Sequence, residues 1–485
     1  MAATVNRNWA ELLGRVADGL MVWTHSGRVR PGDVFVALPG SKVDGSAFIP
    51  QALENGAAYV VARDATNFPE GASAKLILRD DPRQALGELA RAYFKTHLHP
   101  FKLIGVTGTN GKTTVSYLVE YLMAANSRRV GVLGTINYRW PGVVLESQLT
   151  TPDCWKTHEL LANMARSDVE AVVMEVSSHA LDQKRVAGLS FDVAVMTNLT
   201  QDHLDYHKDM DDYFAAKSKL FTEYLAPDGR AVLNYDDAAC RGLLRGMEGA
   251  VGFGLSAAPH GNFETLKGEL ISSTASGLRL AMENSGRTWQ INSPLVGRHN
   301  AENLLAAQAA ALKLGLGPRS MKVLDNFYGV PGRLERVPND RGLDVFVDYA
   351  HTPDALRNVL SSIKALDVNK LLVVFGCGGD RDRTKRPLMG QAVCEYADVA
   401  VLTSDNPRTE EPGRIMDDTF EGMGDCPRVV REEDRYEAIR LALREMLPGD
   451  ALVVAGKGHE LYQQIGDLKF PFSDAKVVRE ILECA

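Results

Sequence analysis

The stretch that most constrains this chain is Gly105-Val-Thr-Gly-Thr-Asn-Gly-Lys-Thr-Thr114. An apolar run over 103–106 leads into it and an amphipathic run over 115–123 leaves it, so the order is strand, glycine-rich turn, helix. That order suits a loop that cradles phosphate. Glycines let backbone N–H groups approach phosphate oxygens, the helix N-terminus adds partial positive charge, Lys112 reaches the terminal phosphates, and a threonine hydroxyl holds magnesium. The strict pattern asks for glycine five residues before Gly111, whereas Val106 stands there and Gly108 follows two residues later. A plain glycine turn is the competing reading, but it does not need a lysine followed by hydroxyls at the mouth of a helix.

A chain of 485 residues exceeds what one core supports, so about two to four domains are expected. With 45% hydrophobic and 24% charged residues the composition excludes a disordered or fibrous chain. The formal charge of -8 is spread over interleaved acids and bases, and the lack of a basic stripe argues against a nucleic-acid partner. Cysteines stand singly at 154, 240, 377, 394, 426 and 484 with no C-x-x-C pair, and read as reduced thiols and core filler. The first residues lack a charged segment followed by an apolar one, and no apolar run approaches the roughly 18 residues that span a bilayer. A cytoplasmic protein without membrane insertion is expected.

The chain punctuates itself into segments 1–97, 98–329 and 330–485. In the first, Pro31-Gly32-Asp33 opens the apolar run 34–38, a helical stretch covers 49–55, and a second strand-like run covers 58–62, which predicts a small α/β unit. His25-Ser26-Gly27 reads as a polar loop. In the second segment the runs 130–133, 171–176 and 193–197 are β-branched and apolar, as in strands buried on both faces of a parallel sheet. The last two lead into Ser177-Ser178-His179 and Asn198-Leu-Thr-Gln-Asp-His203. Ligands bind beyond the carboxyl ends of such strands, which places Glu175 and His203 near Lys112. Glu175, in an apolar strand end, reads as a magnesium ligand or as a carboxylate capping a loop. On spacing alone His203 is a hydrogen-bonding loop residue, and Lys217 and Lys219 of the predicted helix 213–221 are both solvated surface. Residues 250–293 read as short strands and turns. Asn300 and Asn303, at the start of an alanine-rich helix, either cap it or contact a base and ribose.

From Pro331-Gly332-Arg333 onward, strands over 345–347, 371–375, 399–403 and 451–455 alternate with helices over 354–366, 386–396 and 415–423. Their polar carboxyl ends are Asp348-Tyr-Ala-His351, Gly376-Cys-Gly-Gly-Asp-Arg381, Ser404-Asp-Asn-Pro-Arg408 and Gly456-Lys-Gly-His-Glu460. The predicted fold class is α/β in three domains: a small N-terminal α/β domain, a central P-loop doubly wound sheet and a C-terminal Rossmann-like doubly wound sheet, with a cleft between domains. Arg381 and Arg408 are forks for carboxylate or phosphate, or else surface ion pairs.

Together these stretches resemble the Mur ligase family over nearly the whole chain. The motifs that carry the resemblance are Gly108-Thr-Asn-Gly-Lys-Thr-Thr114, Thr150-Thr-Pro152, Glu175-Val-Ser-Ser-His179, Asn198 to His203, Ala215-Ala-Lys217, Gly297-Arg-His-Asn300, Asp348-Tyr-Ala-His-Thr-Pro353, Asp405-Asn-Pro-Arg408 and Gly456-Lys-Gly-His-Glu460. The resemblance implies that 1–97 binds a UDP-linked precursor, with Ser26, Ser41, Lys42 and Val43 near uracil and diphosphate. Relatives often have Asp-Ser-Arg where this chain has His25-Ser26-Gly27. It implies that Thr150, Thr151, Ser177, Gln183 and Arg185 hold the muramoyl-peptide. ATP falls to Gly108, Thr109, Asn110, Gly111, Lys112, Thr113 and Thr114, with Asn300, Arg333 and Asp348. Mg2+ falls to Thr113, Glu175, His203 and Lys217, the lysine carbamylated by CO2. The incoming amino acid falls to Arg381, Asp405, Asn406, Pro407, Arg408, Gly456 and Glu460 of 330–485.

The implied activity is amide ligation in cytoplasmic peptidoglycan precursor synthesis, with Lys112, Glu175, His203 and Lys217 as the catalytic group. ATP converts the free γ-carboxylate of UDP-N-acetylmuramoyl-L-alanyl-D-glutamate into an acyl phosphate, which the amine of meso-2,6-diaminopimelate attacks. Partners are then small molecules and a monomer is expected. Diaminopimelate differs from lysine by one carboxylate, which Arg408 would read, and family members that add lysine lack this arginine. The rivals are a ligase adding lysine, a dipeptide or a folate glutamate, against which Asp405-Asn-Pro-Arg408 argues. A nucleotide-binding relative without chemistry is another, against which the joint presence of Glu175, His203 and Lys217 argues.

Overall fold

The structure is a computed structural model and describes residues 2–40 and 43–484. Ser41 and Lys42, expected near the diphosphate, lie outside the described residues. The chain divides into two compact units, one of Met1–Gly252, Pro259–Glu264 and Ala309–Gly315, the other of Phe253–Ala258, Thr265–Gln308 and Leu316–Ala485.

In the first unit, strands Val22–Trp23, Val34–Val36, Tyr59–Ala62 and Lys75–Leu78 form a parallel sheet in that order. Helix Pro82–Phe94 starts where Asp81 accepts hydrogen bonds from the Arg83 and Gln84 N–H groups and Pro82 presets the first turn. Its Leu86 and Leu89 pack with Leu12 and Val16 of helix Ala2–Ala17 over Val34, Val36 and Val61. A second sheet sets Leu225–Asn234, Phe191–Met196, Lys102–Thr107, Ala171–Glu175 and Val130–Leu133 side by side, all parallel, and ends in the antiparallel hairpin of Asn137–Trp140 and Val143–Glu146. The central strand Lys102–Thr107 pairs Val106 with Glu175 on one side and Thr107 with Met196 on the other. The polar ends of two neighbouring strands are therefore level with the phosphate loop.

In the second unit, Glu264–Thr274, Gly277–Asn284 and Arg287–Ser293 form an antiparallel meander. These strands are longer than the short strands and turns expected over 250–293. One face is open to solvent, so alternate residues are polar and no apolar run marks them. The last sheet runs Glu335–Arg336, Asp344–Asp348, Ala451–Ala455, Leu371–Phe375, Val399–Leu402 and Val429–Arg431, all parallel except the first. Phe346, Val373 and Val453 enter one core while Val345, Val347, Leu372, Val374, Leu452 and Val454 enter another, so both faces are covered, as the apolar runs predicted. Among the described residues no helix is long and apolar enough to cross a membrane.

One expectation fails. Cys394 and Cys426 form a disulfide with Cα atoms 4.5 Å apart, whereas Cys154, Cys240 and Cys377 are free and buried. The bridge joins the end of helix Lys385–Cys394 to the turn before strand Val429–Arg431. This proximity is tertiary, and single cysteines 32 positions apart carry no sign of it in sequence.

The second unit also encloses a full ion pair. Arg435 donates from Nε and Nη2 to the two Asp474 oxygens at 2.8 Å and from Nη2 to the Ala455 carbonyl at 2.9 Å, and both side chains are 0% exposed. Arg435→Ala strands a buried carboxylate and should lower stability in urea by about 3–5 kcal/mol. Arg414→Ala, at a pair 79% and 70% exposed, should change it by less than about 0.5 kcal/mol.

Candidate active site

The loop after strand Lys102–Thr107 turns through Gly108 at φ +139° and Gly111 at φ +85°, and helix Lys112–Ala125 follows. A Cβ on Gly108 would overlap the Thr197 hydroxyl, so the position admits only glycine. The loop is tied to the neighbouring strand end. Asn198 accepts from the Thr109 and Asn110 N–H groups, through its carbonyl at 3.0 Å and its Oδ1 at 2.9 Å. Thr197 Oγ1 donates to the Asn110 carbonyl at 2.6 Å, and Thr109 Oγ1 to that of Thr200 at 3.1 Å. Lys112 folds back, its Nζ donating to the carbonyls of Gly108 at 2.9 Å and Thr109 at 2.8 Å. Thr113 and Thr114 are buried at the first helical turn.

Glu175 is 1% exposed and receives Thr113 Oγ1 at 3.0 Å, the Thr135 N–H at 3.0 Å and Thr135 Oγ1 at 2.8 Å. It thus caps the loop after Val130–Leu133 while one oxygen faces the phosphate loop. Thr135 went unassigned in the sequence, since nothing near it marks a contact 40 positions away. Among the described residues no three His, Cys, Asp or Glu side chains converge as a cation site.

Lys217 is not surface. It is 1% exposed on helix Met210–Thr222, with Nζ 2.8 Å from the Gly108 carbonyl and 4.5 Å from the Tyr213 ring centroid. Burial, and then the Lys112 charge, hold its amine well below the ordinary lysine range. Lys219 does lie at the surface, paired with Asp182 at 3.4 Å. Tyr213, also unassigned in the sequence, lies 3.2 Å from Thr109 Oγ1 through its hydroxyl and covers Lys217 with its ring. His203 adopts φ +55°, sits 3.5 Å from Asp202 through Nε2, and stacks edge-on to His179 at 4.9 Å. Burial lowers its pKa, with Asp202 opposing.

The residues expected to hold the muramoyl-peptide come together beside Glu175. Thr150 Oγ1 lies 3.1 Å from Thr135 Oγ1; Thr151 Oγ1 donates to the Glu175 carbonyl at 2.9 Å and accepts the Ser177 N–H at 3.1 Å. Arg185 donates to the Thr151 carbonyl at 3.0 Å and from Nη2 to Gln183 Oε1 at 2.8 Å. Ser26 is buried and spends its hydroxyl on Gln51 at 2.5 Å. His25 and Thr24 line a cavity of about 680 Å³ with Trp155 and Gln148. Val43 is exposed.

In the second unit, Asn300 is buried in the first turn of helix Arg298–Lys313 and bonds neighbours other than the free N–H groups that a cap would take. Its Nδ2 donates to the Val296 carbonyl at 2.9 Å and its Oδ1 accepts from Asn303 at 3.1 Å. Asp348 accepts the N–H groups of Leu334 at 2.6 Å and Ala350 at 2.7 Å, and Arg333 lies 5.0 Å over the Tyr349 ring. The loops 376–381, 404–408 and 456–460 meet. Arg408, at φ +52°, donates to the Gly379 carbonyl at 2.5 Å, and a Cβ on Gly378 would stand 3.1 Å from Arg408 and 3.7 Å from Arg381. Neither arginine has an ion-pair partner among the described residues, so the surface-pair reading falls for both. Gly456 at φ +114° lets Asp405 come close, since a Cβ there would stand 2.5 Å from Asp405 Oδ2. Asn406 Nδ2 donates to Glu460 Oε2 at 2.8 Å, and Pro407 lies between Asn406 and Arg408 in this buried loop.

A glycine loop ahead of a helix, with lysine and hydroxyls at the mouth of a parallel sheet, defines a phosphate-binding α/β protein. The chain belongs to the Mur ligase family: the Mur ligase family catalytic domain matches residues 21–94, the Mur ligase middle domain 106–311, and the Mur ligase glutamate ligase domain 332–458. It is 52% identical over 465 residues to UDP-N-acetylmuramoyl-L-alanyl-D-glutamate--2,6-diaminopimelate ligase of Lawsonia intracellularis, covering 96% of each chain. It is 44% identical to the protein of the same name from Synechococcus elongatus, covering 94% of this chain and 92% of the other. A solved structure of a ligase of that name superposes with a TM-score of 0.70 at 33% identity, over 96% of this chain and 94% of that one.

Gly108→Ala should abolish binding of ATP in calorimetry while leaving the circular dichroism spectrum unchanged. Gly413→Ala, where a Cβ meets nothing within 4 Å, should leave both unchanged.

Proposed function

We propose that this chain is an ATP-dependent ligase that joins meso-2,6-diaminopimelate to the γ-carboxylate of UDP-N-acetylmuramoyl-L-alanyl-D-glutamate. The observation that carries the reading is the Asp405-Asn-Pro-Arg408 loop, where Arg408 bonds the Gly379 carbonyl and has no ion-pair partner among the described residues, in a chain 52% identical to a relative of that name. The nucleotide-linked precursor places the reaction in the cytoplasm, and one chain holds every residue assigned, so a monomer suffices.

The phosphoryl donor lies on the loop 108–114, with Lys112 exchanging its carbonyl contacts for the terminal phosphates. We assign Asn300, Arg333 and Asp348 to ATP on the family resemblance. The precursor's peptide lies along Thr150, Thr151, Ser177, Gln183 and Arg185, its nucleotide near Ser26, Ser41, Lys42 and Val43. Its γ-carboxylate attacks the terminal phosphorus, ADP leaves, and an acyl phosphate forms. The amine then attacks the acyl carbon, phosphate departs, and the amine's proton goes to solvent. Activation is needed because a carboxylate resists attack by an amine.

The hydroxyl of Thr113 and the carboxylate of Glu175 are 3.0 Å apart, a hard-oxygen pair that suits Mg2+, with His203 and carbamylated Lys217 completing the set. When bound, the ion neutralises charge on the phosphoryl oxygens. Lys217 has what carbamylation by CO2 requires, an amine held toward its neutral, nucleophilic form in a dry site. Lys217→Ala should lose ligation by at least about a hundredfold while Lys219→Ala keeps it. Equal activity of the two in a coupled phosphate assay would remove the carbamate from the mechanism.

The direct test is phosphate release and tripeptide formation from ATP, Mg2+ and the UDP-dipeptide with diaminopimelate, lysine or no amino acid. Turnover with diaminopimelate alone is expected, since a site built to pair a carboxylate discriminates by about 10⁴. Arg408→Ala should reduce that preference. Phosphate release independent of amino acid would make the chain a nucleotide hydrolase, and equal use of lysine would overturn the specificity.

A further inference from the structure

Lys457 has no role in the reaction described above, yet it is 0% exposed at the centre of the proposed amino-acid pocket. Its Nζ lies 2.9 Å from Asn406 Oδ1, 3.5 Å from Glu460 Oε2 and 3.9 Å from Asp405 Oδ1. The same Asn406 Oδ1 also accepts the Gln464 N–H at 2.8 Å, and Gln463 Nε2 donates to the Asp405 carbonyl at 2.8 Å, so lysine, amide and both acids form one fixed cluster. A lysine kept without solvent is costly unless it is matched to anions, and here two carboxylates face it. Burial lowers its pKa while Asp405 pulls the other way.

The charges in this pocket lean positive. Asp405 and Glu460 are two anions, Lys457, Arg408 and Arg381 are three cations, and the nearby Arg435 is neutralised by its own partner Asp474. Such a pocket disfavours a ligand whose far end is only a cation. It matches a zwitterionic head group, one ammonium and one carboxylate, rather than an ammonium alone. Lys457 also faces one oxygen of each acid, Asp405 Oδ1 at 3.9 Å and Glu460 Oε2 at 3.5 Å, while Asp405 Oδ2 lies against Gly456. Arg408 then meets the carboxylate.

We propose that Lys457 is a positioning and specificity-determining residue, whose buried charge sets Asp405 and Glu460 and tunes the pocket for the zwitterionic end of the amino acid. This rests on the amino-acid-binding reading of the loops 404–408 and 456–460. Without Lys457 the pocket loses that excess of positive charge. It should then accept more readily an amino acid whose far end is a bare ammonium, as in lysine.

The test is steady-state kinetics of Lys457→Met with diaminopimelate and with lysine. KM for diaminopimelate should rise at least about tenfold and the kcat/KM ratio of lysine to diaminopimelate should rise by a similar factor. KM for ATP and for the UDP-dipeptide should stay within about twofold, which a general loss of structure would not allow. Asn406→Asp adds a negative charge at the same point with almost no change of shape, and should move the ratio in the same direction. It decides the matter if Lys457→Met fails to fold. A ratio unchanged in a folded variant overturns the proposal while leaving the ligase intact. A wild-type enzyme indifferent to diaminopimelate overturns the ligase reading itself.

Discussion

An ammonium group at the dry end of a parallel sheet must be matched by anions or lose its proton, and each unit contains one. Lys217 and Lys457 are 1% and 0% exposed. Lys217 meets the carbonyl of Gly108 and the face of Tyr213, with Lys112 as the charge that acts on it most strongly. Carbonyl and ring stabilise the cation weakly, so the environment drives the amine toward neutrality and reactivity. Lys457 instead meets an amide oxygen and two carboxylates, which oppose the loss of its charge. The same side chain is thus set in two environments, one that disfavours its charge in the first unit and one that faces it with carboxylates in the second.

The loops that hold these lysines depend on backbone that few residues tolerate. Gly108 at φ +139° and Gly456 at φ +114° let the loop meet Thr197 in one case and Asp405 in the other. His203 and Arg408 adopt left-handed conformations at φ +55° and +52° without being glycine. Strain of this kind persists where neighbours over-determine the loop. Arg408 is held on both sides of its backbone, its N–H donating to Gln464 and its carbonyl accepting from Gly466. His203 is held by Tyr206 and His207, whose N–H groups share its carbonyl.

What could be read in the sequence follows from burial. Runs such as 371–375 and 451–455 are continuous because both faces of the strand are covered, and the structure places strands there residue for residue. The meander escaped because one face is wet. Lys217 escaped for a different reason, since its signal was present. Tyr213, Leu220 and Phe221 stand four before, three after and four after it, so it lies on the apolar stripe of its helix while Lys219 points away. Helical periodicity separates the two lysines where composition does not. Thr135, Lys457 and the Cys394–Cys426 bridge are of another kind, because each acquires meaning only from a partner brought near by the fold.

The second unit adds a step that no single motif contains. The Asp348 carboxylate is spent on the N–H groups of Leu334 and Ala350, and Leu334 sits at φ +47°, a conformation unfavourable for a branched apolar side chain. Asp348 therefore fixes the segment that begins at Pro331, and Gly332 in that segment packs so tightly on the backbone of Gly458 and His459 that no larger residue fits. Arg333 lies 5.0 Å over Tyr349, and Tyr349 lies 5.0 Å from His459, one residue before Glu460. The residues assigned to the nucleotide and those assigned to the amino acid are thus parts of one close-packed stack. Because packed interiors do not deform continuously, a shift at Arg333 must be taken up at His459, and the loop 456–460 answers to the segment that carries Arg333.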